Sequence, residues 1–254
     1  LMRPGDSRTA GVVVEARGLN FAYPTSALTP VLRNVSFRLE GGKRVGVVGR
    51  SGSGKSSLLG ALLRMYPLQP GMLFLDHRDI TTIPRDVCRR LVGIIPQTPT
   101  IFEGSFAINV DPFQQFSDAE IEAALSKAQF DVPKQLPLGI HRTQAGDGNG
   151  AGLSMGEKQL LCAARVLVRR PRLLLVDEST AYVDETTNRA FRRMLKLVSA
   201  EATIIVVAHR LQTIIDSDHL LVFDQGELVE QGAPQDLLAR EGGTFRALAH
   251  AALF

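Results

Sequence analysis

The sequence predicts an α/β fold, with a parallel-sheet core, an antiparallel β subdomain ahead of it and a helical subdomain inserted into it. Three observations carry this expectation. The buried-strand pattern of Lys43 to Val48 runs through a glycine-rich loop into a helical pattern at Ser57 to Leu63. Strand and helix patterns then alternate over the last third of the chain, as parallel sheets require. Between them, a block spanning about 100–168 carries apolar residues at helical spacing.

Taken in order, residues 1–11 are polar, include Arg3, Asp6 and Arg8, and are expected to be a disordered lead-in. A chain opening on Leu1 is expected to be a piece of something longer, with the folded domain at 12–254. Alternating apolar residues at Val12 to Tyr23 and at Val35 to Glu40 predict antiparallel strands. After the glycine loop, a short helix is predicted at Pro84 to Leu91 and a buried strand at Val92 to Ile95. The inserted block gives helices at Asp118 to Ala128 and at about Ser154 to Val168, the second preceded by the Gly-rich stretch Gly146 to Gly152. Strands follow at Leu173 to Val176, Thr203 to Val207 and Leu220 to Phe223, with a helix at Glu185 to Ser199.

Composition narrows the class. The 254 residues are 44% hydrophobic, enough for a sizeable core. No apolar run approaches the roughly 20 residues that cross a bilayer, and the polar first residues are not expected to be a secretory signal, so the chain is not expected to span a membrane itself. The formal charge is +3, and the arginines of Arg169 to Arg172 and Arg189 to Arg193 lack interleaved aromatics. Solvated helix faces are therefore expected rather than a nucleic-acid partner. Cys88 and Cys162 have neither metal nor redox spacing and are expected as reduced thiols.

The chemistry is concentrated in the loop Gly49-Arg50-Ser51-Gly52-Ser53-Gly54-Lys55-Ser56-Ser57, which fits the Walker A pattern G-x-x-x-x-G-K-[ST]. Its glycines let successive N–H groups turn toward phosphate oxygens, at a helix N-terminus whose dipole favours an anion. Lys55 offers a point charge to the β/γ-phosphates and the Ser56 hydroxyl a ligand for Mg²⁺. All nine residues are candidate ATP contacts. The apolar strand Leu173 to Val176 ends in Asp177 and Glu178, at the sheet edge where open α/β folds bind ligands. Alone, that is a common strand-to-loop junction. Beside a Walker A loop, Asp177 becomes a candidate Mg²⁺ ligand and Glu178 a candidate for orienting the attacking water. Tyr23, Gln97 and His209 would each be unremarkable in isolation.

Together these residues resemble the ATP-binding cassette, or ABC, nucleotide-binding domain over nearly the whole chain. The resemblance implies a P-loop NTPase fold with a RecA-like parallel-sheet core. It makes Tyr23 the aromatic that stacks on adenine and Gln97 the Q-loop residue that touches Mg²⁺. Leu153-Ser154-Met155-Gly156-Glu157 stands where LSGGQ belongs, with Met155 for Gly and Glu157 for Gln. Ser154 would open a helix and offer a second anion site, which in this family receives the γ-phosphate held by a partner domain. Gly156 would allow close approach to that phosphate, and Glu157 would add negative charge near it. Ala181 to Asp184 resembles the D-loop, with Asp184 its acidic residue, and His209 the H-loop switch. Gly146-Asp147 is similar to the exporter Gly-Glu pair.

Phe102 to Phe113, ending Asn109-Val110-Asp111-Pro112-Phe113, resembles the second nucleotide-binding domain of the C subfamily, the multidrug-resistance-associated exporters. That implies a Mg²⁺-dependent ATPase on the cytoplasmic face of a membrane. Its implied partners are the first nucleotide-binding domain of the same polypeptide and the transmembrane domains, without nucleic acid. Lys55, Gln97, Glu178 and His209 are then the expected catalytic set, and motion would pass to the membrane through the surface around Gln97, Phe102 and Phe106. The alternatives are an ATP-sensing domain that gates a channel or a soluble ABC ATPase acting on nucleic acid or ribosomes. Against the second, this chain shows no sustained heptads between the glycine loop and Ser154, where chromosome-maintenance relatives place a long coiled coil.

Overall fold

The computed structural model describes residues 11–24, 29–130, 136, 138–145, 152–177, 185–207 and 211–252. These divide into two compact bodies. One holds 93–171 and 185–198, and the other holds the rest. Among the candidate residues, Glu178, Asp184 and His209, and the pair Gly146-Asp147, lie outside the described residues.

The larger body contains two sheets. Strand β1 (Val14–Phe21) pairs antiparallel with β2 (Leu32–Leu39), and β1 also pairs antiparallel with β4 (Leu73–Leu75), which continues to β5 (Arg78–Asp79). This is the expected antiparallel subdomain, and β2 shows why its sequence alternates. Leu32, Val35, Phe37 and Leu39 are buried while Arg33, Asn34, Ser36 and Arg38 face water. Gly11 is tied down ahead of β1: its N–H donates to the Glu201 carbonyl at 3.0 Å.

In the second sheet the order across this body is β10-β9-β3-β8-β7. Strands β3 (Arg44–Gly49), β7 (Leu173–Asp177), β8 (Thr203–Val207) and β9 (His219–Asp224) run parallel, and β10 (Glu227–Gly232) returns antiparallel to β9. The central strands are almost wholly buried, which explains their unbroken apolar runs. Each such aliphatic side chain contributes about 1.5–3 kcal/mol of burial. Helix α1 (Lys55–Leu62) follows β3, and helix α2 (Arg85–Leu91) leads toward β6 (Val92–Ile95).

The smaller body is helical. It contains α3 (Phe106–Val110), α4 (Asp118–Lys127), α5 (Met155–Leu167) and α6 (Glu185–Val198). Ser105 caps α3 and Ser117 caps α4, the latter through a capping box with Glu120. Phe106 does not contribute to a surface, contrary to the sequence expectation. It is 0% exposed and packs its ring against Phe130 at 5.4 Å between centroids. Phe102, Ile108 and Phe113 are the exposed apolar side chains of the Phe102 to Phe113 segment.

The chain after β8 closes with α7 (Leu211–Ile214), α8 (Pro234–Ala239) and α9 (Thr244–Ala252) in the larger body. Among the described residues, no helix is long and apolar enough to cross a membrane. Cys88 and Cys162 are both buried, and burial pushes both thiols above their ordinary pKa, which leaves them poor nucleophiles.

Candidate active site

Strand pairing brings sequence-distant groups to one edge of the parallel sheet. Val47 of β3 lies beside Val207 of β8, and Val207 lies beside Asp177 of β7. Asp177 therefore stands at the same strand ends from which the Gly49 to Gly54 loop departs. Helix α1 begins at Lys55, two residues before the sequence pattern suggested, because Gly54 serves as its N-cap in a left-handed conformation (φ 103°). The helix N-terminus then opens directly onto the loop.

Lys55 is only 5% exposed, and its Nζ donates to the carbonyls of Gly49 and Arg50, both at 2.8 Å. Burial lowers its pKa, and the Asp177 carboxylate opposes that shift. The lysine is thus stored across the loop, within electrostatic reach of the acidic strand end. Ser53 N–H donates to the Arg50 carbonyl at 3.1 Å, so the carbonyls on this side of the loop are occupied by internal donors. Arg50, Ser51, Gly52 and Ser56 are exposed around the loop mouth.

Tyr23 and Ser57, both sequence candidates, are joined: their hydroxyls lie 2.9 Å apart. The Tyr23 ring meets Phe21 and Tyr66 edge-on, each at 5.1 Å between centroids, so an aromatic cluster orients it over the first turn of α1. The Ser56 hydroxyl and Asp177 carboxylate are hard oxygen donors of the kind Mg²⁺ prefers, and both belong to this body. The donor set fits that ion.

In the helical body, Gln97 is exposed in the bend after β6. Ser154 caps α5, as expected, but Glu157 has a role the sequence did not reveal. The Ser154 hydroxyl accepts the Glu157 N–H at 3.2 Å, while the Glu157 carboxylate accepts the Ser154 N–H at 2.9 Å. This capping box satisfies two donors at the helix start and engages the acid that was expected to confront an anion. Met155 is 47% exposed beside it. Gly156 is buried, and a β-carbon there would lie 2.5 Å from the Thr187 Cγ2 of α6. Packing of α5 on α6 is sufficient reason for a glycine at that position.

Sequence reasoning passed over Arg165. Its guanidinium donates to the carbonyls of Asn109 at 2.6 Å and Thr100 at 2.8 Å, and lies 4.3 Å from the centroid of the Phe102 ring. Asn109, 0% exposed, binds both backbone groups of Phe102 with its side-chain amide. Asn109 belonged to the motif already noted, but its 56-residue separation from Arg165 left no local signal.

A strand, a glycine loop and a helix start carrying a buried lysine, beside a parallel strand ending in an aspartate, define a nucleotide-binding P-loop NTPase domain. A family model described as ABC transporter matches residues 32–181, and the chain belongs to that family as an ATPase domain. Among similar proteins, "ABC transporter C family member 2" of Dictyostelium discoideum is 38% identical over 92% of this chain. "ATP-binding cassette sub-family C member 2" of Rattus norvegicus is 39% identical over 85% of it. The chain spans only 17% and 14% of those two proteins. A solved bacterial Atm1-family ABC exporter with ATP bound superposes with a TM-score of 0.85 at 34% identity, covering 98% of this chain and 44% of that one.

Proposed function

We propose that this domain powers export through a membrane by binding and hydrolysing MgATP in partnership with a second cassette. The observation that carries the reading is Lys55, held across the loop carbonyls at the start of α1 and within reach of the Asp177 charge. In this reading the amides of Gly49 to Ser57 and the Lys55 ammonium receive the phosphates, and Tyr23 receives the adenine. Ser56 and Asp177 would hold Mg²⁺, with Gln97 the further ligand that the family resemblance implies, and the ion would supply neutralisation of phosphate charge. Glu178 orients water in line with the γ-phosphorus, and His209 donates to the γ-phosphate as charge develops. Catalysis here is positioning and electrostatics.

The C-subfamily resemblance extends the proposal to the whole protein. This domain acts as its second cassette, on the cytoplasmic face of a membrane, closing on the first cassette of the same polypeptide and moving the attached transmembrane domains. Its Ser154 to Glu157 face and Asp184 then serve the partner's nucleotide. The test is Glu178→Gln in the full-length protein. ATP binding should persist and the closed pair should last longer, while phosphate release falls to background. Wild-type turnover in that variant would remove Glu178 from the mechanism.

A further inference from the structure

The turn between β9 and β10 lies far from the phosphate loop in sequence and against it in space. Gly226 N–H donates to the Ser53 carbonyl at 3.1 Å. The Phe223 carbonyl oxygen lies against Gly49, 2.2 Å from where a β-carbon there would sit. The turn is held in its own right. Arg33 N–H donates to the Gly226 carbonyl at 2.8 Å, the Arg33 guanidinium donates to the Gln225 carbonyl, and Arg33 also reaches Glu227 at 3.8 Å. Gly226 has φ +87°, and a β-carbon on it would lie 2.2 Å from the Val31 carbonyl oxygen, so only glycine fits.

The consequence follows from peptide geometry. The Ser53 carbonyl and the Gly54 N–H belong to one planar trans peptide unit, so they point in opposite directions. Fastening the carbonyl to Gly226 aims the Gly54 N–H the other way. Without such a fastening the unit joins a serine to a glycine at φ 103°, with no β-carbon on Gly54 to resist its rotation. A carbonyl turned toward the anion in place of an N–H would repel it.

We infer that Gly226 is a positioning residue for the nucleotide site: the β9–β10 turn, itself pinned by Arg33, sets the direction of the Gly54 N–H toward the bound phosphates. This rests on reading Gly49 to Ser57 as a phosphate loop. No substrate contact by Gly226 is involved.

The test compares MgATP with adenosine, which has no phosphate, by calorimetry on the full chain. Gly226→Ala should weaken MgATP binding about tenfold, the scale of one lost hydrogen bond at a charged ligand, and leave adenosine binding unchanged. Arg33→Ala, at a 46% exposed side chain, removes the guanidinium contacts with Gln225 and Glu227, keeps the main-chain bond to Gly226, and so loosens the same turn without strain and decides the matter if Gly226→Ala does not fold. It should weaken MgATP binding selectively and move the Gly54 amide resonance in the nucleotide-free protein. Equal losses for MgATP and adenosine, or an unmoved Gly54 resonance with unchanged MgATP affinity, would overturn the inference. Failure of the wild-type chain to bind MgATP at all would instead overturn the phosphate-loop reading beneath it.

Discussion

Ser154 and Glu157 close a reciprocal pair of hydrogen bonds at the start of α5, at 3.2 and 2.9 Å, so the acid that departs from the family pattern acts as a helix cap. Two effects of Glu157 can therefore be separated. Glu157→Gln keeps an acceptor for the Ser154 N–H and should change stability by less than about 0.5 kcal/mol. Glu157→Ala loses the reciprocal bond and should cost about 1 kcal/mol in denaturant unfolding. If the charge also opposes the partner's nucleotide, Glu157→Gln will lower the KM for ATP in the full-length protein. An unchanged KM assigns Glu157 to capping alone.

Gly156→Ala should reverse the usual helix rule. Alanine normally gains about 1 kcal/mol over glycine inside a helix. Here the added methyl would stand 2.5 Å from Thr187 Cγ2, and overpacking of that kind costs about 1–3 kcal/mol. Thr187 Cβ and Oγ1 would also stand 2.8 Å away, so Thr187→Ser relieves the closest of three contacts and the double variant should recover only part of the loss. A double-mutant cycle in urea measures this coupling. Strict additivity would show that Thr187 is not what excludes the side chain.

The parts legible in the sequence share a physical cause. Strands β3, β7, β8 and β9 are buried on both faces, so they read as apolar runs, and the phosphate loop is a local pattern needing no distant partner. Helix α3 was not legible because it has only five residues and is buried around most of its surface. Strand β10 escaped because it alternates between exposed and half-buried positions, with Glu227, Glu230 and Gln231 breaking the apolar pattern. Glu157, Gly156 and Phe106 stand in motifs whose expected roles depend on partners, and each has an intramolecular engagement which only the folded chain reveals. The Gly226 fastening crosses 173 positions to Ser53, beyond any window of local reading.

Lys55 gives the site an alkaline limit. Its pKa in the nucleotide-free chain is lowered, chiefly by burial, so it loses its proton below the ordinary lysine value near 10.4. A bound triphosphate stabilises the ammonium and raises that pKa again. Binding therefore takes up a proton between the two values, and affinity falls as pH rises through the nucleotide-free pKa. Calorimetry at pH 8 and in alkaline buffers of different ionisation enthalpy should show weakening MgATP binding and proton uptake. Adenosine binding should stay level over the same range. Lys55→Ala should bind MgATP weakly throughout and lose the pH dependence.

Arg165 should prove irreplaceable by lysine. Its planar fork serves the Asn109 carbonyl, the Asn109 Oδ1 and the Thr100 carbonyl at once, with the Phe102 ring beneath it. Lysine brings a compact ammonium that cannot span those acceptors or stack on the ring in the same way. Leaving a buried carbonyl without its donor costs about 1–3 kcal/mol. Arg165→Lys and Arg165→Ala should therefore both destabilise the helical body by that amount in chemical unfolding, with lysine recovering little. Because Asn109 also holds both backbone groups of Phe102, amide exchange should accelerate at Phe102 in either variant. Protection at Phe102 equal to wild type would mean that Asn109 holds the segment without help from Arg165.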